Sequence, residues 1–124
     1  MNDRTLLELA ARAAGMNIQR SRLDDPLHRD FLMNGEGVRN PGQCSFPWNP
    51  LDDDGDALRL AVRLRMEIDH NHPADERAWV SVRAQGERTC AVEEFDDESL
   101  RAAATRMAIT RAAAEIGKSM GGGE

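Results

Sequence analysis

The chain has 124 residues, enough for one domain with its own core, and its 40% hydrophobic and 31% charged content is ordinary for a globular protein. Acids outnumber Lys and Arg by 22 to 16, a net charge of −6, which argues against a protein that coats nucleic acid or an anionic membrane, because phosphate neutralisation needs a basic excess. No apolar run approaches the roughly 18 residues of a membrane span, and no secretory apolar stretch follows Met1, so the expected location is cytoplasmic with no membrane partner.

The first predicted element is a helix over 3–14, capped by Asn2 or Asp3 and closed by Gly15. Leu6, Leu9, Ala10 and Ala13 share one of its faces, widened by Leu7, Ala11 and Ala14. From Met16 to Pro50 the pattern is weak. "MNIQR" reads as a short strand and "FLMNGEGVRNPG" as apolar residues around an Asn-Gly turn.

"PWNPLDDDGDALRLAVRL" then places four acids ahead of a helix whose Ala57, Leu60, Ala61 and Leu64 line one face. The acids sit at the positive end of the helix dipole, where carboxylates cap unpaired N–H groups. A calcium loop would need ligands at positions 1 and 12, which fall on Pro50 and Ala61, so capping is the reading. "RMEID", "AWVSVRA" and "TCAVEEF" follow as an antiparallel meander, with Val80 and Val82 on one face and Trp79, Ser81 and Arg83 on the other.

The last and longest helix is predicted over 97–118. Ala102, Ile109, Ala113, Ile116 and Met120 form one stripe, expected against the sheet. Leu100, Ala104, Met107, Arg111, Ala114 and Lys118 form a second. A helix apolar on two sides must be covered twice, by a helix of the same chain or of a second copy. The chain has no internal repeat or linker, so residues 1–120 read as one domain and 121–124 as a flexible tail.

Candidate chemistry is sparse. Asp69, His70, His72 and Asp75 have spacing compatible with zinc, but they bridge two strands and read as an exposed turn. There is no nucleophile elbow, no ordered Cys-His-Asp set and no phosphate loop, so neither catalytic nor metal residues nor a cofactor are expected. Cys44 and Cys90 form no CxxC pair; they are two free thiols or one bridge, with free thiols favoured. What remains is ligand binding by Arg39, Asn40, Trp48, Asn49, Arg106 and Arg111, since a guanidinium fork suits phosphate and an indole suits base stacking. Each also has a structural reading: Trp48 as a core plug, Asn49 as a turn former, Arg111 and Lys118 reaching from the rim of an apolar contact.

The segments "NPGQCSFPWNPLDDDGDALRLAVRL" and "RAAATRMAITRAAAEIGKSM" together resemble the small phage-encoded proteins of the phage α/β/α sandwich domain family, and "NDRTLLELAARAAG" fits their first helix. The resemblance implies a phage or prophage origin and a cytoplasmic setting in the infected cell or lysogen. The layout is also similar to phage anti-defence sponges, oligomers that sequester cyclic nucleotide immune signals between protomers without cleaving them. With the elements above, the expected fold is α+β: three helices packed on a mainly antiparallel sheet of about four to five strands, α/β/α sandwich-like. The expected function is a non-enzymatic, homo-oligomeric sponge for a nucleotide-type signal. The alternative is an acidic protein that inhibits a host defence complex, as an anti-CRISPR does; its charge lets it compete with nucleic acid for a basic groove.

Overall fold

The structure is a computed structural model, and it describes residues 3–15, 18–20, 32–34, 46–84 and 90–120, with 18–20, 32–34 and 46–47 described by backbone alone. The element order is α1 (Asp3–Ala14), β1 (Ile18–Arg20), β2 (Leu32–Asn34), β3 (Phe46–Pro47), α2 (Asp54–Arg63), β4 (Met66–His70), β5 (Ala78–Ala84), β6 (Cys90–Phe95), a short 3-10 turn (Glu98–Leu100) and α3 (Arg101–Met120). The class is α+β, as expected.

The strand count is a correction. The sheet that carries the core has three strands, β4-β5-β6, rather than four to five; β1-β2-β3 form a separate antiparallel sheet of two- and three-residue strands. The short strands divide because the chain between them is rich in Gly, Pro and Asn and supplies no period-2 apolar run.

In the main sheet Val82 lies opposite Ile68 and Ala91, and Val80 opposite His70 and Glu93. Strand side chains alternate, so Val80, Val82 and Ala84 all point to one face, and each is at most 2% exposed. Helices α2 and α3 cover that face. Ala57, Leu60 and Ala61 of α2 join Ala108, Ile109, Ala112 and Ala113 of α3 in one core with the two valines. The opposite face carries Glu67, Arg83, Val92 and Glu94, all exposed, with Trp79 and Ser81 half-buried, and among the described residues no second helical layer lies over it.

Helix α1 packs on α3 rather than on the sheet. Its buried residues are Leu7, Ala10, Ala11 and Ala14, spaced i, i+3, i+4, i+7. This face is turned by about one residue from the Leu6–Leu9–Ala10–Ala13 face expected from sequence. The reason is a backbone contact. Gly117 of α3 lies against the Leu9 carbonyl and the Ala13 nitrogen; a Cβ there would stand 1.9 Å from the Leu9 oxygen. Only glycine and alanines let two helix backbones approach so closely. Helix α1 thus covers one side of α3 from within the chain, but of the second stripe only Ala114 is buried: Ala104 and Met107 are half-buried and Leu100, Arg111 and Lys118 exposed, while Ala102 and Met120 of the first stripe are exposed rather than packed on the sheet. Residues Ala108, Ile109, Thr110, Ala112, Ala113, Ala114 and Gly117 are all buried, so mid-α3 is enclosed almost all round. Thr110 is fully buried and satisfies its hydroxyl by donating to the Arg106 carbonyl at 2.8 Å.

Candidate functional site

Two constellations contain the sequence-predicted residues. The first is the turn that leads into α2. Trp48 is 3% exposed and belongs to the core. Asn49 uses every polar group it has. Its side-chain oxygen accepts from the Leu51 N–H at 3.0 Å, its amide donates to Asp52 Oδ2 at 3.1 Å, and its backbone N–H donates to Asp56 Oδ2 at 2.9 Å. Its carbonyl accepts from the N–H groups of Asp52 and Asp53.

Asp53 is the N-cap, accepting from the Asp56 N–H at 2.7 Å. Asp56, buried, also receives Arg59 Nη2 at 2.8 Å. Arg106 reaches across from α3: Nε donates to the Leu51 carbonyl at 2.9 Å and Nη1 to Asp54 at 2.5 Å. The acidic run is thus a cap and a clasp that fastens α2 to α3, and the structural readings of Trp48 and Asn49 describe their positions.

Arg111 lies elsewhere, on the far side of α3. It lines an open cleft of about 700 Å³ together with Asp3, Leu6, Cys90, Ala91, Val92, Met107 and Glu115. One wall is strand β6, the other the Met107–Arg111–Glu115 stripe of α3, and the start of α1 closes one side. The guanidinium is half-exposed, and Nη1 stands 2.8 Å from Glu93 Oε1. The contact is an ion pair without hydrogen-bond alignment, and that buried carboxylate oxygen has no aligned donor. Neither Asp3 nor Glu115 has an ion-pair partner among the described residues. Two carboxylates, Asp3 and Glu115, thus line the cleft with one guanidinium that Glu93 already pairs.

The structure therefore groups Trp48, Asn49 and Arg106, and separates Arg111 from them. Arg39 and Asn40 lie outside the described residues, as do Cys44, the proposed Asn-Gly hairpin tip and residues 121–124. Sequence reasoning missed Glu93, Asp3 and Glu115. The signal was present: in "CAVEEF" Glu93 falls in phase with Ala91 and Phe95 on the covered face, where an acid needs a cation, and Arg111 is four residues before Glu115.

The remaining polar groups are structural. His72 Nδ1 accepts from the Ala74 N–H at 3.0 Å, and Asp75 accepts from the His72 N–H, so this segment is a self-bonded turn. Among the described residues no three of His, Cys, Asp and Glu gather to hold a metal. Arg101, at the start of α3, knits the sheet to the helix. It pairs with Glu98 at 2.6 Å, donates to Asn71 Oδ1 at 2.8 Å and contacts His70 Nδ1 at 2.9 Å. It also lies over the Phe95 ring. Its hydrogen bond holds the Glu98 carboxyl below the usual carboxylate range. Cys90 is exposed, its sulfur 3.2 Å from the Ser81 hydroxyl. No described helix is long and apolar enough to cross a membrane.

No family model matches the chain, and no curated protein or solved structure does either.

Proposed function

We propose that this chain is a non-catalytic binding protein that presents an acidic cleft to a basic surface of a partner protein, as a phage-encoded inhibitor of a host defence complex in the cytoplasm of an infected cell or lysogen. The observation that carries the reading is the sign of the cleft. Asp3 and Glu115 line the cleft beside a single cation, Arg111, whose charge is already met by Glu93. A phosphate would meet net negative charge; a lysine or arginine would meet complementary charge. The net charge of −6 acts in the same direction. The phage setting and the sandwich-family membership are part of the proposal and rest on the Trp48–Ala57 run and the Ala- and Arg-rich α3.

The test is affinity capture from bacterial lysate at about 50 mM and about 300 mM salt, conditions that bracket strong and weak screening. The reading predicts a nucleic-acid-binding partner retained at low salt, released at high salt, and lost with Glu115→Lys. Capture that ignores both salt and the charge reversal contradicts it.

A second reading keeps the nucleotide sponge. It is favoured by Arg111, a half-exposed guanidinium facing a cleft of about 700 Å³. It requires Arg111 to exchange Glu93 for phosphate and a second copy to bring further cations to the cleft. A melting-temperature rise with cyclic dinucleotides or cyclic ADP-ribose isomers is its expected signature; at 100 times Kd, linkage gives about 2.7 kcal/mol.

A further inference from the structure

We infer that the cleft receives an extended, basic segment of the partner, added to the main sheet as a strand alongside β6. The inference rests on the protein-binding reading and names how the partner is held.

Strand β6 ends the β4-β5-β6 sheet, and among the described residues no strand adjoins its outer side. An edge strand presents unpaired backbone N–H and C=O groups, the template that strand addition uses. This edge is also a wall of the cleft: Cys90, Ala91 and Val92 line it directly, and Val92 is 54% exposed. Facing it, Met107, Arg111 and Glu115 recur every four residues, a step of about 6 Å along the helix. Same-side residues of a strand are about 6.6 Å apart. Alternate side chains of one extended segment can therefore meet this stripe in turn.

The chemistry of those side chains follows from the lining. Leu6, Ala91, Val92 and Met107 offer apolar contact. Asp3 and Glu115, unpaired among the described residues, call for cationic donors. An alternation of β-branched and basic residues satisfies both. A second copy of β6 does not. It would bring only further carboxylates, Glu93 and Glu94, and no cation to this edge.

The experiment uses the full chain and three ten-residue peptides: alternating Lys and Val, alternating Glu and Val, and the Lys-Val peptide interrupted by proline. Anisotropy reports binding, and amide hydrogen exchange of residues 90–95 reports where. The inference predicts that only the uninterrupted Lys-Val peptide binds. It should slow exchange along β6 at least tenfold and lose about tenfold in affinity with Glu115→Lys. Glu115 is exposed, so the variant's unchanged melting curve separates lost binding from lost folding.

Equal binding of the proline-interrupted peptide, binding that leaves β6 amides unprotected, or no binding overturns strand addition. Protection of β6 that grows with protein concentration and needs no peptide overturns it in favour of a second copy. None of these outcomes decides the protein-binding reading, which the salt-dependent capture tests without reference to β6.

Discussion

At the scale of single residues, charge in this protein is spent on holding elements together. Arg106 fastens α3 to the α2 turn, and Arg101 joins α3 to the end of β4. The Glu98 carboxyl beside it is depressed by the hydrogen bond from Arg101. A carboxyl depressed in the fold stabilises above the unfolded carboxylate range, near pH 4.3, and that contribution is lost as pH falls through the lower folded value. Glu98→Gln should therefore melt slightly lower than the parent at neutral pH, with the gap closing under acid. Melting curves from pH 7 to about 3 check this; a gap that widens under acid contradicts the pairing. Because Glu98 is exposed, the effect is small.

At the scale of elements, the regular pieces were legible in the sequence because each carries its own period. The α1 boundaries, Asp3–Ala14 with Gly15 at positive φ, and β5 at Ala78–Ala84 are as expected. The last helix differs in its first turn, which is 3-10 and capped by Asp97, and it runs two residues further, to Met120. Two features were not legible. Asp56 is in phase with the polar face of α2, yet it is buried because the Asn49 N–H folds back onto it from outside the helix period. The rotation of α1 depends on Gly117, more than 100 positions away, which no local pattern reports. Gly117→Ala should raise helix propensity by about 1 kcal/mol, but the clash with the Leu9 carbonyl outweighs it, for a net loss of about 2 kcal/mol. Chemical denaturation of the two proteins measures this; a stabilised variant would mean that α1 is not seated against Gly117.

At the scale of the whole molecule, the sequence showed that α3 needs covering on two sides but left open whether the cover is intramolecular. Helix α1 supplies one cover, at Gly117, while Leu100, Arg111 and Lys118 of the second stripe stay exposed. What is left open to solvent is a cleft beside an edge strand, with carboxylates in excess over one arginine. Of the six residues expected to bind a ligand, only Arg111 lines it; Trp48, Asn49 and Arg106 are engaged in the fold, and Arg39 and Asn40 lie outside the described residues. The candidate site was only partly readable because it is assembled from α1, β6 and α3, and sequence shows the period of each element but not which faces meet.

The sign of the cleft is tested most directly by Arg111→Gln. One titration series compares the variant and the parent against the Lys-Val peptide and against a cyclic dinucleotide. The variant unmasks Glu93, so the peptide should bind the variant more tightly than the parent, by about threefold to tenfold, with no dinucleotide binding to either protein. Dinucleotide binding by the parent that disappears with Arg111→Gln would show that the arginine, not the carboxylates, sets what the cleft accepts, and would contradict the account.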